Sequence, residues 1–310
     1  MVAFRFWIKY LNHEKTNDND SRRSNMMFRR SVQDPVRWRS FSSVNQIVKP
    51  PDLDAKKHPI FVLHGLFGSH QNWRAVGKRI AFNTCGGHIV TTPPTCSIVH
   101  LLILPQAPVH LIDLRNHGAS PHTSSHTYDL MSQDIIRYME STQTPVATLI
   151  GHSMGGKVAM HVALDQPERF DRLIVVDSSP VDYGEIGEFS RYVQLMRRLD
   201  VESLKSRKEA NDRLAPHIPE NGMRQFILLN LRDVSNTSNP QFRWRVNLDV
   251  LEQSLYHVRD FPDQGERRFE RPTLFIGGGK IEFVPDAGHW VQAEKPDELV
   301  DLATRFLNEK

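Results

Sequence analysis

The stretch ATLIGHSMGGKVAMHVALD, residues 147–165, constrains the fold most. Its first residues form a short apolar run that reads as a buried strand. Met154–Asp165 carries a helical pattern. Between them stands GHSMGG (151–156), which fits Gly-x-Ser-x-Gly. A strand that passes into a helix over so few residues must bend sharply, and side chains at Gly151 and Gly155 would clash in the bend. Ser153 is then expected to stand above the sheet edge, with the first N–H groups of the following helix directed at it. The pattern alone is weak because Gly and Ser are common, and its place between strand and helix is what gives it weight. The competing reading is a glycine-rich packing turn.

Strands and helices alternate along much of the chain. PIFVLHG (59–65), VHLIDLRNHG (109–118) and RLIVVDSSP (172–180) read as further strands. Gln71–Phe82 and Tyr128–Met139 have helical spacing, the first through Trp73, Val76 and Ile80. Such alternation predicts an α/β fold, a mostly parallel sheet with helices on both faces. The pattern changes at Pro180. Helical spacing recurs over Phe189–Leu199, Glu202–Leu214, Gly222–Leu231 and Val246–Arg259, with no convincing strand. Residues 181–262 therefore read as an all-helical lid insertion, with the core in 46–180 and 263–310. PTLFIG (272–277) resumes strand character, and Pro296–Asn308 reads as a closing amphipathic helix.

The net charge of +3 is unevenly spread. Residues 1–50 hold ten Lys/Arg and four Asp/Glu, so the remainder carries −3 and a nucleic-acid role finds little support. Residues 26–46 are rich in Arg and Ser and contain one acid, Asp34. That composition reads as a mitochondrial transit peptide, with matrix localisation, an Arg39-Ser40-Phe41-Ser42 processing site and a true start at Met26 or Met27. A disordered basic tail is the competing reading, and 1–45 are set apart from the fold. Residues 80–112 contain no Asp, Glu, Lys or Arg. Within them 85–108 reads as an atypical insertion, with an extra edge strand as the alternative. No apolar run approaches the roughly 18 residues of a membrane span. Cys85 and Cys96, the only two cysteines, form neither a disulfide framework nor a metal spacing, and no cofactor is expected.

Nucleophilic catalysis at Ser153 needs an oxyanion hole, a base and an acid. One oxyanion donor is expected from the Met154 N–H. The other comes from HGLFGS (64–69), at Leu66 or Phe67, where Gly65 and Gly68 permit close approach. The base follows the last strand in this architecture, which selects His289 among 15 histidines. His64 reads as a strand-end residue and His152 as a packed neighbour of the nucleophile. The acid has two candidates. Asp177 ends the strand after the Ser-bearing helix, and Asp249 lies on the last insertion helix. Asp177 is preferred for its place on the sheet edge.

HGLFGSHQNW, DLRNHGASPH, MSQDI, GHSMGGKVAM, VVDSSPVDY, RQFILLNL, WRVNLDVL and DAGHWVQAEKP together resemble the alpha/beta-hydrolase fold superfamily. Within it they are similar to the alpha/beta hydrolase domain-containing protein 11 family, related to bacterial short-acyl esterases. The resemblance covers about residues 58–310 outside the insertion. It implies a cofactor-free serine hydrolase acting on small-molecule acyl esters or thioesters, in mitochondria for eukaryotic members; stable membrane insertion is not expected, given the short apolar runs. It places the nucleophile at Ser153 and the base at His289, and the acid at Asp177 or Asp249.

One departure bears on activity. GGGK (277–280) separates Thr273–Ile276 from a second apolar run, Ile281–Val284. A parallel crossover takes about a dozen residues or more, so either Ile281–Val284 returns antiparallel beside Thr273–Ile276, or the glycines stretch out and one strand is lost. An antiparallel return is expected to leave His289 out of reach of Ser153. A non-catalytic ligand- or partner-binding protein on the same fold is the alternative function.

Overall fold

The computed structural model describes residues 58–85, 89–91, 108–184, 187–235, 237, 239–277 and 289–309. The chain enters as β1 (Ile60–Leu63), α1 (His70–Cys85), β2 (Ile89–Thr91) and β3 (Val109–Ile112). It continues through α2 (Tyr128–Ser141), β4 (Ala147–His152), α3 (Met154–Asp165) and β5 (Phe170–Val176). The apolar runs of β1, β3, β4 and β5, four to seven residues long, form strands because they are buried on both sides, as parallel strands under helices must be. Strand order is β2-β3-β1-β4-β5-β8, with every neighbouring pair parallel; β8 is Thr273–Ile276. The short helix α8 (Val291–Glu294) and the closing helix α9 (Pro296–Asn308) follow.

Side chains alternate between two cores with the strand period of two. Phe61, Leu63, Leu149, Leu173 and Val175 join a cluster with α2 and α3 residues such as Met131, Ile135 and Val158. Ile60, Val62, Ile150, Ile174 and Val176 join the opposite cluster with Trp73, Ile80, Leu299 and Ala303 of α1 and α9. Each fully buried aliphatic or aromatic side chain contributes about 1.5–3 kcal/mol. The sheet is thereby fixed from both faces, and the carboxyl ends of β1, β4, β5 and β8 lie side by side. Leu63 pairs with Gly151, His152 with Val176, and Val176 with Ile276.

The insertion contains α4 (Gly187–Arg198), α5 (Arg207–Leu214), α6 (Asn221–Leu228) and α7 (Leu248–Arg259). It is not all helical. Between α6 and α7, β6 (Leu231–Asp233) and β7 (Phe242–Trp244) pair antiparallel as a small ribbon. Strands of three residues are too short to show a period in sequence. The helix expected over 222–231 stops because buried Asn230 turns aside, its side-chain amide donating to the Phe67 carbonyl at 2.8 Å. The helix expected from Glu202 starts only at Arg207. There Ser206 caps it, its hydroxyl accepting from the Glu209 N–H at 3.1 Å, as Ser-x-x-Glu favours.

Residues 89–91 of the atypical segment form the outermost strand, paired with β3. The edge-strand reading holds there, and residues 92–107 lie outside the described residues. So do both courses open to Ile281–Val284, the antiparallel return and the lost strand. No helix among the described residues is long and apolar enough to cross a membrane.

Candidate active site

Ser153 stands where β4 becomes α3, half-buried, with φ 52° and ψ −119°. A non-glycine residue in that region is strained, and the surroundings must hold it there. Its N–H donates to the Val176 carbonyl at 3.0 Å, and its carbonyl accepts from the Lys157 N–H at 3.1 Å. The flanking glycines are steric necessities. A Cβ on Gly151 would lie 2.3 Å from the Gly155 carbonyl oxygen, and one on Gly155 would lie 2.5 Å from the carbonyl oxygens of Leu63 and His64.

The loop after β1 lies directly against this turn. A Cβ on Gly65 would meet His152 Nδ1 at 2.8 Å and Ser153 Cβ at 3.2 Å. Two buried histidines brace the loop. His64 donates from Nδ1 to the Gly65 carbonyl at 2.8 Å and accepts the Leu114 N–H at Nε2, 3.0 Å away. His117 donates from Nδ1 to the Arg115 carbonyl at 3.0 Å and accepts the Phe67 N–H at Nε2, 3.2 Å away. Burial holds both imidazoles below their ordinary pKa, so each stays neutral and can accept. This corrects one expectation. The Phe67 N–H is already donated to His117 and is not available to an oxyanion. Leu66 and Met154 remain, and neither amide has a hydrogen-bond acceptor among the described residues.

Asp177 follows β5 directly. It adopts φ 44°, and its N–H donates to the Ile276 carbonyl at 2.7 Å. Its carboxylate Oδ2 accepts from His289 Nδ1 at 2.5 Å. The pair is partly open to solvent, with the two side chains 28% and 32% exposed. The His289 ring lies 5.0 Å from the ring of His152, the residue before Ser153. His289 therefore lies at the carboxyl edge of the sheet, against Asp177 and the residue that precedes Ser153. The Ser153 hydroxyl has no hydrogen bond among the described residues; in enzymes free of substrate such contacts often close only in the complex.

Asp249, the other candidate acid, sits elsewhere. It lies in the first turn of α7, 73% exposed, and pairs with Arg197 of α4 at 3.1 Å. This carboxylate is engaged at the surface while Asp177 meets His289.

Sequence reasoning missed three roles. His152 is more than a packed neighbour, since its Nε2 donates to the main-chain carbonyl of His289 at 2.7 Å. Lys157 of α3 is fully buried and donates from Nζ to the carbonyls of Val181 (2.7 Å) and Asp260 (3.0 Å) and to that of Arg259, the two ends of the lid. Phe189 of the lid helix α4 packs on Phe67 (6.2 Å) and edge-on to His289 (6.3 Å between ring centroids). Only the position of His152 beside the nucleophile offered a signal. No group of three His, Cys, Asp or Glu among the described residues is arranged to hold a metal ion.

A model of the alpha/beta hydrolase fold family matches residues 58–280. The chain is 35% identical over 280 residues to the sn-1-specific diacylglycerol lipase ABHD11 of Mus musculus, covering 83% of each chain. It is 28% identical over 271 residues to the esterase YbfF of Escherichia coli, covering 81% of this chain and 93% of the relative. Among solved structures, a marine microorganism esterase superposes with a TM-score of 0.69 at 25% identity, covering 81% of this chain and 95% of its own. The chain belongs to the alpha/beta hydrolase fold family, as an ABHD11-like serine hydrolase of the esterase type.

Proposed function

We propose that the chain hydrolyses ester or thioester bonds of small acyl substrates through Ser153, His289 and Asp177 and a covalent acyl-enzyme. The observation that carries this reading is the His289–Asp177 hydrogen bond at 2.5 Å, on the sheet edge that also holds the strained Ser153. Asp177 fixes the imidazole tautomer that leaves Nε2 free to accept a proton. In the proposed reaction His289 takes the Ser153 proton as Oγ bonds to the acyl carbon. The Met154 and Leu66 N–H groups hold the resulting oxyanion. The bond to the leaving alcohol or thiol breaks as His289 returns the proton. Water, deprotonated by His289, then attacks the acyl carbon and releases the acid and Ser153.

The lid supports an apolar acyl pocket. Phe189 packs edge-on to His289, and Phe226 packs on Trp290 with ring centroids 5.5 Å apart, which places apolar lid side chains next to His289 and its neighbour. Because vertebrate relatives are named diacylglycerol lipases, acylglycerols belong in the first assays, beside short p-nitrophenyl esters and acyl-CoA thioesters. A fluorophosphonate probe tests the nucleophile. The wild type is expected to label, and Ser153→Ala is expected to abolish labelling and turnover. Folded wild-type protein that does not label favours the non-catalytic alternative.

The proposal extends to mitochondria, with the matrix as compartment. It is supported by the Arg-rich, acid-poor composition of residues 26–46, which lie outside the described residues. Import into isolated mitochondria with cleavage near Ser42 is expected; a chain that remains outside and uncleaved sinks the assignment.

A further inference from the structure

We infer that His152 is the positioning residue for His289, acting through the main chain rather than through the imidazole. The inference rests on His289 serving as the base in the proposed function.

His289 is held at two points. Its Nδ1 meets Asp177, and its carbonyl accepts the Nε2–H of His152 at 2.7 Å. The side-chain bond alone lets the ring pivot about the carboxylate. A second bond, to the backbone of the same residue, fixes the origin from which the ring projects. The fixed point is itself well anchored. His152 is the last residue of β4, buried to 2% exposure, and its ring lies 6.3 Å from the buried Trp73 ring. It is also covalently next to Ser153. One rigid strand end therefore sets both the nucleophile and the backbone of the base.

The chemistry of His152 suits the task. The bond needs an N–H donor at all working pH values. Burial first, and then the neighbouring His289, keep its pKa down at about 3, so it stays neutral with the proton on Nε2. A charged imidazole there would instead repel protonated His289 during turnover, when that ring carries the Ser153 proton.

The test compares His152→Leu, which removes the donor, with His152→Gln, whose amide nitrogen reaches about the same place. In His152→Leu, kcat is expected to fall by on the order of 10²-fold, the scale of a small misplacement of a catalytic group, with KM changed less than about 3-fold. His152→Gln is expected to recover most of the loss. The downfield proton resonance of His289 Nδ1–H, read by NMR in the free enzyme, is expected in wild type and His152→Gln and broadened or lost in His152→Leu. This second measurement needs no substrate. Full kcat in folded His152→Leu, or failure of Gln to rescue, overturns the inference. Should His152→Leu not fold, His152→Gln and His152→Asn, whose shorter amide cannot reach, provide the same contrast. The reading beneath is separated by Ser153→Ala. If that variant keeps turnover, or wild type has none, the hydrolase mechanism fails, and the resonance alone then decides the positioning role.

Discussion

At Asp177 the backbone is held at φ 44°, a conformation that a short polar side chain tolerates best. The strain is useful because it aims a carboxylate from the end of β5 toward His289 instead of along the strand. Two aspartates competed for this role in the sequence, and they differ in what surrounds them. Among the described residues Asp249 pairs with Arg197 at an exposed lid surface, where an ion pair contributes about 0–1 kcal/mol. Asp177→Asn is therefore expected to lower kcat on the order of 10³-fold or more, because the amide no longer stabilises the imidazolium. Asp249→Asn is expected to leave steady-state kinetics within about 2-fold and stability within about 1 kcal/mol. The reverse ranking in ester hydrolysis assays would remove Asp177 from the mechanism. Gly151, Gly155 and the Ser153 turn were legible from sequence because their constraint is local and steric. The Phe67 amide was not, since its acceptor, His117, lies 50 residues away.

Among elements, the lid is where sequence and structure part most. Its four helices were readable from their apolar spacing, although α5 begins at the Ser206 cap and not at Glu202. The β6–β7 ribbon was not readable, because its hydrogen bonds join residues across a loop. Lys157 links both ends of the lid to the core. Its ammonium reaches carbonyls at both ends of the insertion and lies 3.8 Å from the centre of the Tyr183 ring. Burial pulls its pKa down to about 7, opposed by Asp182 and Asp260, while three carbonyl acceptors and the ring face favour the cation. Lys157→Met strands those carbonyls without a donor, and relief of ammonium desolvation offsets part of that loss. A net cost of about 2 kcal/mol is expected in urea unfolding. Limited proteolysis is expected to cut faster at 181–184 and 259–262. Unchanged cleavage there would show that other contacts hold the lid.

For the molecule as a whole, buried histidines set the acid limit. Burial holds His110 at about 4, His126 at about 3 and His152 at about 3, against an ordinary 6.5. His64 and His117 shift in the same direction for the same leading cause. In the unfolded chain these rings protonate below pH 6.5, while in the fold they do not. Unfolding then takes up protons, and stability is withdrawn as pH falls from 6.5 toward the lowered values. At pH 5 each of the first three withdraws about 2 kcal/mol relative to pH 7, together about 6 kcal/mol, comparable to the whole net stability of many domains. A sharp fall in Tm between pH 7 and pH 5 is expected. A flat profile would mean that these rings are protonated or solvated in the fold.

The sequence by itself determined the α/β class, the strand–Gly-x-Ser-x-Gly–helix turn and His289 as the histidine before the closing helix. Each is written in short-range spacing or chain order, where period and sterics act over a few residues. Only the tertiary structure decided which aspartate meets His289, that His117 takes the Phe67 amide, and that His152 and Lys157 donate to the carbonyls of His289 and of the lid ends. Those are contacts between residues more than 20 and up to 137 positions apart. Their partners are fixed by parallel strand register and by burial of the two sheet faces, and neither has a local signature. The short connection after β8 shows the difference. Counting residues left two courses open for 277–284, while the contacts of His289 with Asp177 and His152 are set by the ends of β5 and β4.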